Sequence, residues 1–99
     1  MTTAAAFEVS ELQAILRTKR GPMAEAARRR LDRATRLHAK DLRQIETNKA
    51  DGLEVLAGMM SKEQRDFEEA IYDKEDADSR LSHEKLDAEV AAIAESLGL

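Results

Sequence analysis

Cysteine and tryptophan are absent, and Phe7, Phe67 and Tyr72 are the only aromatics among 99 residues. Without cysteine there is no disulfide framework and no thiolate chemistry, which fits a reducing compartment. Large aliphatics are also scarce. Leu, Ile, Val and Phe number 20, and 17 of the 42 apolar residues are alanine. That sits at the edge of what folds, so neither a thick core nor a large water-free pocket is expected. Proline occurs once, at Pro22, and glycine four times, so little interrupts a helix. No apolar run approaches the ~20 residues of a membrane span, and no membrane partner is expected. The opening MTTAAAFEVSE lacks the charged and apolar regions of a secretory signal. A soluble, cytoplasmic protein is the expectation.

Catalytic signatures are missing too. There is no glycine-rich phosphate loop and no nucleophile paired with a base. His83 and Asp87 have a spacing that can place two ligands on a metal, but it also suits a surface ion pair. A helical di-iron site needs Glu three residues before His; Arg80 precedes His83 at that spacing and Thr35 precedes His38. The run Asp73, Glu75, Asp76, Asp78 lacks the glycine of a calcium loop. No enzyme activity, cofactor, metal or small-molecule substrate is expected.

What is present is the composition of long helices: alanine, leucine, glutamate, arginine and lysine, with 36% charged residues. A short helix is expected at about 10–20, capped by Ser10 with Gln13 at the capping-box position. Its apolar stripe is Leu12, Ile15 and Leu16, and Gly21 suits the left-handed position after its end. Pro22 then opens a second helix over about 22–49. Its seam runs Ala24, Ala27, Leu31, Ala34, His38, Leu42 and Ile45, close to a heptad. NKADG, residues 48–52, reads as a turn. A third helix, about 53–78, carries Leu53, Leu56, Met60, Phe67 and Ile71 on one face, with Gln64 in the gap. Gly58 and Ser61 offer an alternative, a kink near residue 60 with Ser61 and Gln64 as a capping box. Near residue 80 the apolar face rotates by roughly 100°, to Leu86, Val90, Ile93 and Leu97. Either the helix breaks and Ser82 caps a segment over about 83–97, which is slightly preferred, or one helix presents two faces.

The expected fold is therefore all-α: an antiparallel, coiled-coil-like helical hairpin in one small domain, 1–99, with a short N-terminal helix and a C-terminal helical segment. A hairpin buries little per residue, so a partner is expected to contribute to stability.

Charge is distributed unevenly. Residues 17–43 carry ten Lys/Arg against three Asp/Glu, while residues 44–99 carry six against fifteen. On the wheel of the second helix, Arg29, Arg33, Arg36, Lys40 and Arg43 form a ridge about 180° from the seam. The hairpin's own third helix cannot easily cover it, whereas Arg28 and Arg30 flank the seam and suit pairing within the chain. The ridge has three readings: a solvated face with i,i+4 pairs Glu25–Arg29 and Asp32–Arg36, a contact with an acidic protein surface, or a grip on phosphates. The acidic net charge and the lack of nearby aromatics weigh against the last.

His38 lies inside the seam, as a core-edge histidine or a register device; Asp41 and Lys74 also fall on or near seams. Met59 and Met60 give a soft apolar spot. The function expected is a non-enzymatic protein–protein interaction module, a homo-oligomer or a structural or adaptor subunit of a larger assembly. Its contact residues would be the ridge and the second apolar face Leu86, Val90, Ile93 and Leu97. A sequence-independent nucleic-acid binder using the ridge is the alternative.

Overall fold

The computed structural model describes residues 7–99, and the opening MTTAAA, with its alanine run and its bearing on a leader, lies outside the described residues. Three helices follow: α1 (Val9–Thr18), α2 (Pro22–Ala57) and α3 (Ser61–Ser96). Among the described residues 88% are helical and none is in a strand. α2 and α3 are 36 residues each and pack antiparallel as a hairpin. At ~1.5 Å per residue each is about 54 Å long, and the molecule measures 60 × 29 × 15 Å.

The turn does not fall at NKADG. α2 continues through it to Ala57, and the chain reverses at Gly58–Met60. Asn48, Asp51 and Gly52 are turn formers by local preference, yet all three accept helical dihedrals when packing rewards them. The seam itself continues across the segment, through Lys49, Gly52 and Leu56. Gly52 serves close approach rather than reversal. A Cβ there would lie 3.0 Å from Ile71 Cγ1 and 3.1 Å from Cδ1. Leu53 and Leu56 therefore end α2 instead of opening the third helix. Met60 is the N-cap of α3 and is exposed. Ser61 makes no cap, and Gln64 reaches backward: its Nε2 donates to Leu56 O (3.2 Å) and Met59 O (3.1 Å). It adds a second donor to Leu56 O, which already accepts the Met59 N–H (3.0 Å), and pairs the turn carbonyl of Met59.

α3 does not break near residue 80. It carries no Gly or Pro from Ser61 to Ser96, so nothing local ends it. The rotated apolar face has a tertiary explanation. One face of α3 meets α2 along the hairpin; the other meets α1 and the start of α2 at the open end.

α1 also differs in detail. Its N-cap is Glu8 rather than Ser10, and the Glu8 N–H donates to Glu11 Oε1 at 3.3 Å. Lys19 ends it in an extended conformation. Gly21, at φ 105°, is the N-cap of α2, one step later than the position after α1's end. Pro22 stands at the first turn of α2 as expected.

The core gathers where α1 crosses the hairpin: Leu12, Leu16, Ala24, Ala27, Leu31, Val90 and Ile93 are all buried. The Arg28 Nη1 donates to Leu16 O (2.7 Å) and Lys19 O (3.1 Å), tying the C-terminal end of α1 to α2. Beyond α1 only two helices remain, and Leu42, Leu53, Phe67 and Ile71 are half-buried. The radius of gyration is 18.7 Å, against about 13 Å for a compact chain of this length. The accessible surface is 7408 Å², against roughly 5,600 Å² for a compact monomer of this mass. The molecule is a thin bar with surplus surface on the order of 10³ Å².

Candidate interaction surfaces

The ridge is where the wheel placed it. Arg29, Arg33, Arg36, Lys40 and Arg43 are all exposed, and Arg33 borders the groove between α2 and α3. Arg29 pairs with Glu25 at 3.3 Å and Arg36 with Asp32 at 3.1 Å, both within one helix. Exposed pairs of this kind add only a few tenths of a kcal/mol. Among the described residues, Arg33, Lys40 and Arg43 have no ion-pair partner. Arg28 and Arg30, which flank the seam, turn inward: Arg28 holds α1, and Arg30 pairs with Glu89 of α3.

The second apolar face is a correction. Val90 and Ile93 are buried in the chain's own core, and Leu86 and Leu97 pack against that core, half-buried. Leu12 and Leu16 of α1 share this core. Helix periodicity locates an apolar face but not what lies against it, and here the cover lies about 75 residues upstream in the same chain.

The seam's polar positions converge on one residue. Ser82 is buried in mid-α3. Its hydroxyl donates to Asp41 Oδ2 at 3.1 Å and lies 2.9 Å from His38 Nδ1. A hydroxyl has one proton, and here it goes to the carboxylate. His38 Nδ1 therefore carries its own proton and donates to the oxygen. This three-residue staple ties α2 to α3 at one register. The ring of His83 sits 4.6 Å from that of His38. Lys74 takes no part, pairing with Asp78 on its own helix at 2.8 Å. Asp87 is exposed, and no group of three or more His, Asp or Glu is placed to hold a metal among the described residues.

Towards the turn, Lys49 bridges Glu75 of α3 (2.7 Å) and Glu46 (3.2 Å). The hydrogen bond to Glu75, then that to Glu46, raises the lysine pKa above its usual value. Glu63, Asp66, Glu68, Glu69, Asp73 and Asp76 of α3 are exposed.

A surface not foreseen from the sequence lies on the face opposite α1. On the α2 wheel Leu37 falls about 180° from Arg28, the residue that holds α1. Here a groove runs between α2 and α3. It begins at Arg30, Leu37 and Glu89, continues past Asp41, Leu81 and Lys85, and ends at Ile45, Gly52 and Phe67. Adjacent stretches share lining residues, so the groove is continuous: Asp41, Ser82 and Lys85 join the first two, and Ile45, Asn48 and Asp78 the last two. The turn-end stretch, about 250 Å³, is lined mainly by carbon. Leu37 and Leu81 are each 52% exposed, and Met23 and Val55 more so. On the wheel Met23, Leu37 and Val55 lie within about 40° of one another. A signal existed in α3: Phe67, Ala70, Ala77, Leu81 and Ala88 repeat at heptad spacing beside the main seam. Four of those five are exposed.

Fold and surface define an all-α helical hairpin with a third helix across its open end and, on the opposite face, a continuous groove that no described residue covers. No family model, no curated protein and no solved structure matches the chain.

Proposed function

We propose that this chain is a non-enzymatic protein–protein interaction module, working as a homo-oligomer or as a small structural or adaptor subunit of a larger assembly. The observation that carries this reading is the uncovered groove on a bar-shaped molecule with surplus surface of order 10³ Å². An open groove with an apolar turn-end stretch and exposed Leu37 and Leu81 is a feature that marks a contact site. The grooves are open channels between helices rather than enclosed, water-excluding sites, which argues against catalysis. Solution mass by light scattering is the first test, at about 0.1 M and 1 M salt, where charges are screened beyond ~10 Å and ~3 Å. Capture of a protein from an extract of the source cells, with nuclease present, is the second. An oligomer or a captured protein supports the reading. A monomer that captures nothing removes it.

The basic ridge supports a second reading, an electrostatic nucleic-acid binder. All five cations are exposed in a row, and Arg33, Lys40 and Arg43 have no ion-pair partner among the described residues. Binding of mixed-sequence duplex that falls steeply with salt would support it. Absence of binding at low salt would remove it.

A further inference from the structure

The groove has a definite shape, and the molecule has a definite charge axis. Residues 44–78 form the turn half of the hairpin and carry four Lys/Arg against eleven Asp/Glu, a net of −7. Residues 17–43, towards the open end, carry a net of +7. Residues 79–99 share the open end and carry two Lys/Arg against four Asp/Glu, so the bar is acidic at its turn end and basic, by a net of +5 over 17–43 and 79–99, at its open end. Two copies laid parallel would set acidic end against acidic end. Two copies laid antiparallel set basic against acidic twice, as a two-fold axis requires.

We propose that the groove face is covered by a second copy of the chain, packed antiparallel across a two-fold axis near Asp41 and Ser82. The result is a four-helix dimer with α1 on its two outer faces. This rests on the interaction reading and names its surface and partner. The footprint suffices. From Met23 to Val55 the strip is about 48 Å long, and two helices side by side are roughly 18–20 Å across. That gives about 900 Å² per copy, near the ~800 Å² per partner of a standard interface. The exposed alanines Ala70, Ala77 and Ala88 let the partner helices approach closely, and Leu37 and Leu81 supply the large apolar contacts near the axis.

The test uses the full chain. Light scattering over a dilution series reads mass, and circular dichroism reads helicity. The wild type is expected at twice the 11.0 kDa chain mass. Leu37→Glu and Leu81→Glu change residues that are half-exposed in the single chain, so helicity is retained. Each places a charge in the dimer centre and weakens association about tenfold or more. Orientation is read with a nitroxide on Glu25→Cys, which lies off the groove in a chain with no other cysteine. Glu25 is sixteen residues from Asp41, so two labels stand about 50 Å apart in the antiparallel dimer and about 20 Å apart in a parallel one. A monomer throughout the series overturns the proposal, and the extract experiment then decides the broader reading. A dimer indifferent to both Leu substitutions, or one with the short label distance, overturns it and leaves the broader reading standing.

Discussion

Gly52→Ala tests whether the chain runs straight through NKADG. In an exposed helix interior this change stabilises by about 1 kcal/mol, because glycine gives up more backbone freedom than alanine. In this structure the added methyl meets Ile71, at 3.0 Å from Cγ1 and 3.1 Å from Cδ1. Both distances are tighter than ordinary contact, so Ile71 has to shift by a few tenths of an ångström. It borders an open groove, so the overpacking cost should fall at the low end of the usual range, about 1 kcal/mol. The two effects cancel, and Gly52→Ala is expected to be near neutral. In an Ile71→Ala background the obstruction is gone, and the same substitution should recover the full gain of about 1 kcal/mol. The readout is urea unfolding followed by circular dichroism on the four proteins of the cycle. A coupling of about 1 kcal/mol between the sites is the expected result. A full gain in the wild-type background, with no coupling, would refute the close approach and with it this pairing of α2 with α3.

Other outcomes follow from the same geometry. Ser82→Ala removes the hub between His38 and Asp41 and should cost about 1 kcal/mol, with the thermal midpoint falling by roughly 4–8 °C; an unchanged midpoint would show that the staple contributes nothing. Ile93→Asp buries a charge in the α1 core and should abolish the cooperative melt, at more than about 3 kcal/mol; retained helicity with altered mass would instead return that face to a partner. Lys49 has a raised folded-state pKa, so its contribution is fully present below the ordinary lysine value of 10.5 and is lost as pH rises through the raised value. The stability gap between wild type and Lys49→Met should therefore close only above that value, and a gap that closes at neutral pH would contradict the bridge to Glu75. Replacing Arg33 and Arg36 with Glu should leave helicity intact, as both are exposed; unfolding would show that the ridge is structural.

The hairpin was legible because a seam at heptad spacing needs a facing helix, and Gly21 and Pro22 separate α1 from α2 by local chemistry alone. The ridge was legible for the same reason: the helical period puts Arg36 and Lys40 about 140–180° from His38 and Ile45 whatever the tertiary structure. The turn was not. Asn48, Asp51 and Gly52 prefer a turn by a margin of about 1 kcal/mol each at most, and the seam packing of Lys49, Gly52 and Leu56 on α3 opposes it. The true reversal at Gly58–Met60 carries a weaker local signal, held by Gln64 folding back on Leu56.

Sequence alone determined which residues share a helix face, since the backbone period sets that. Only the tertiary structure decided what each face meets. Val90 and Ile93 are apolar by composition, but their burial under α1 depends on a helix far upstream crossing at that level. Leu37 and Leu81 are equally apolar and stay uncovered, because α1 is ten residues long and lies on the other side. Side-chain chemistry is local, whereas burial is a relation between distant segments, and a relation needs both positions.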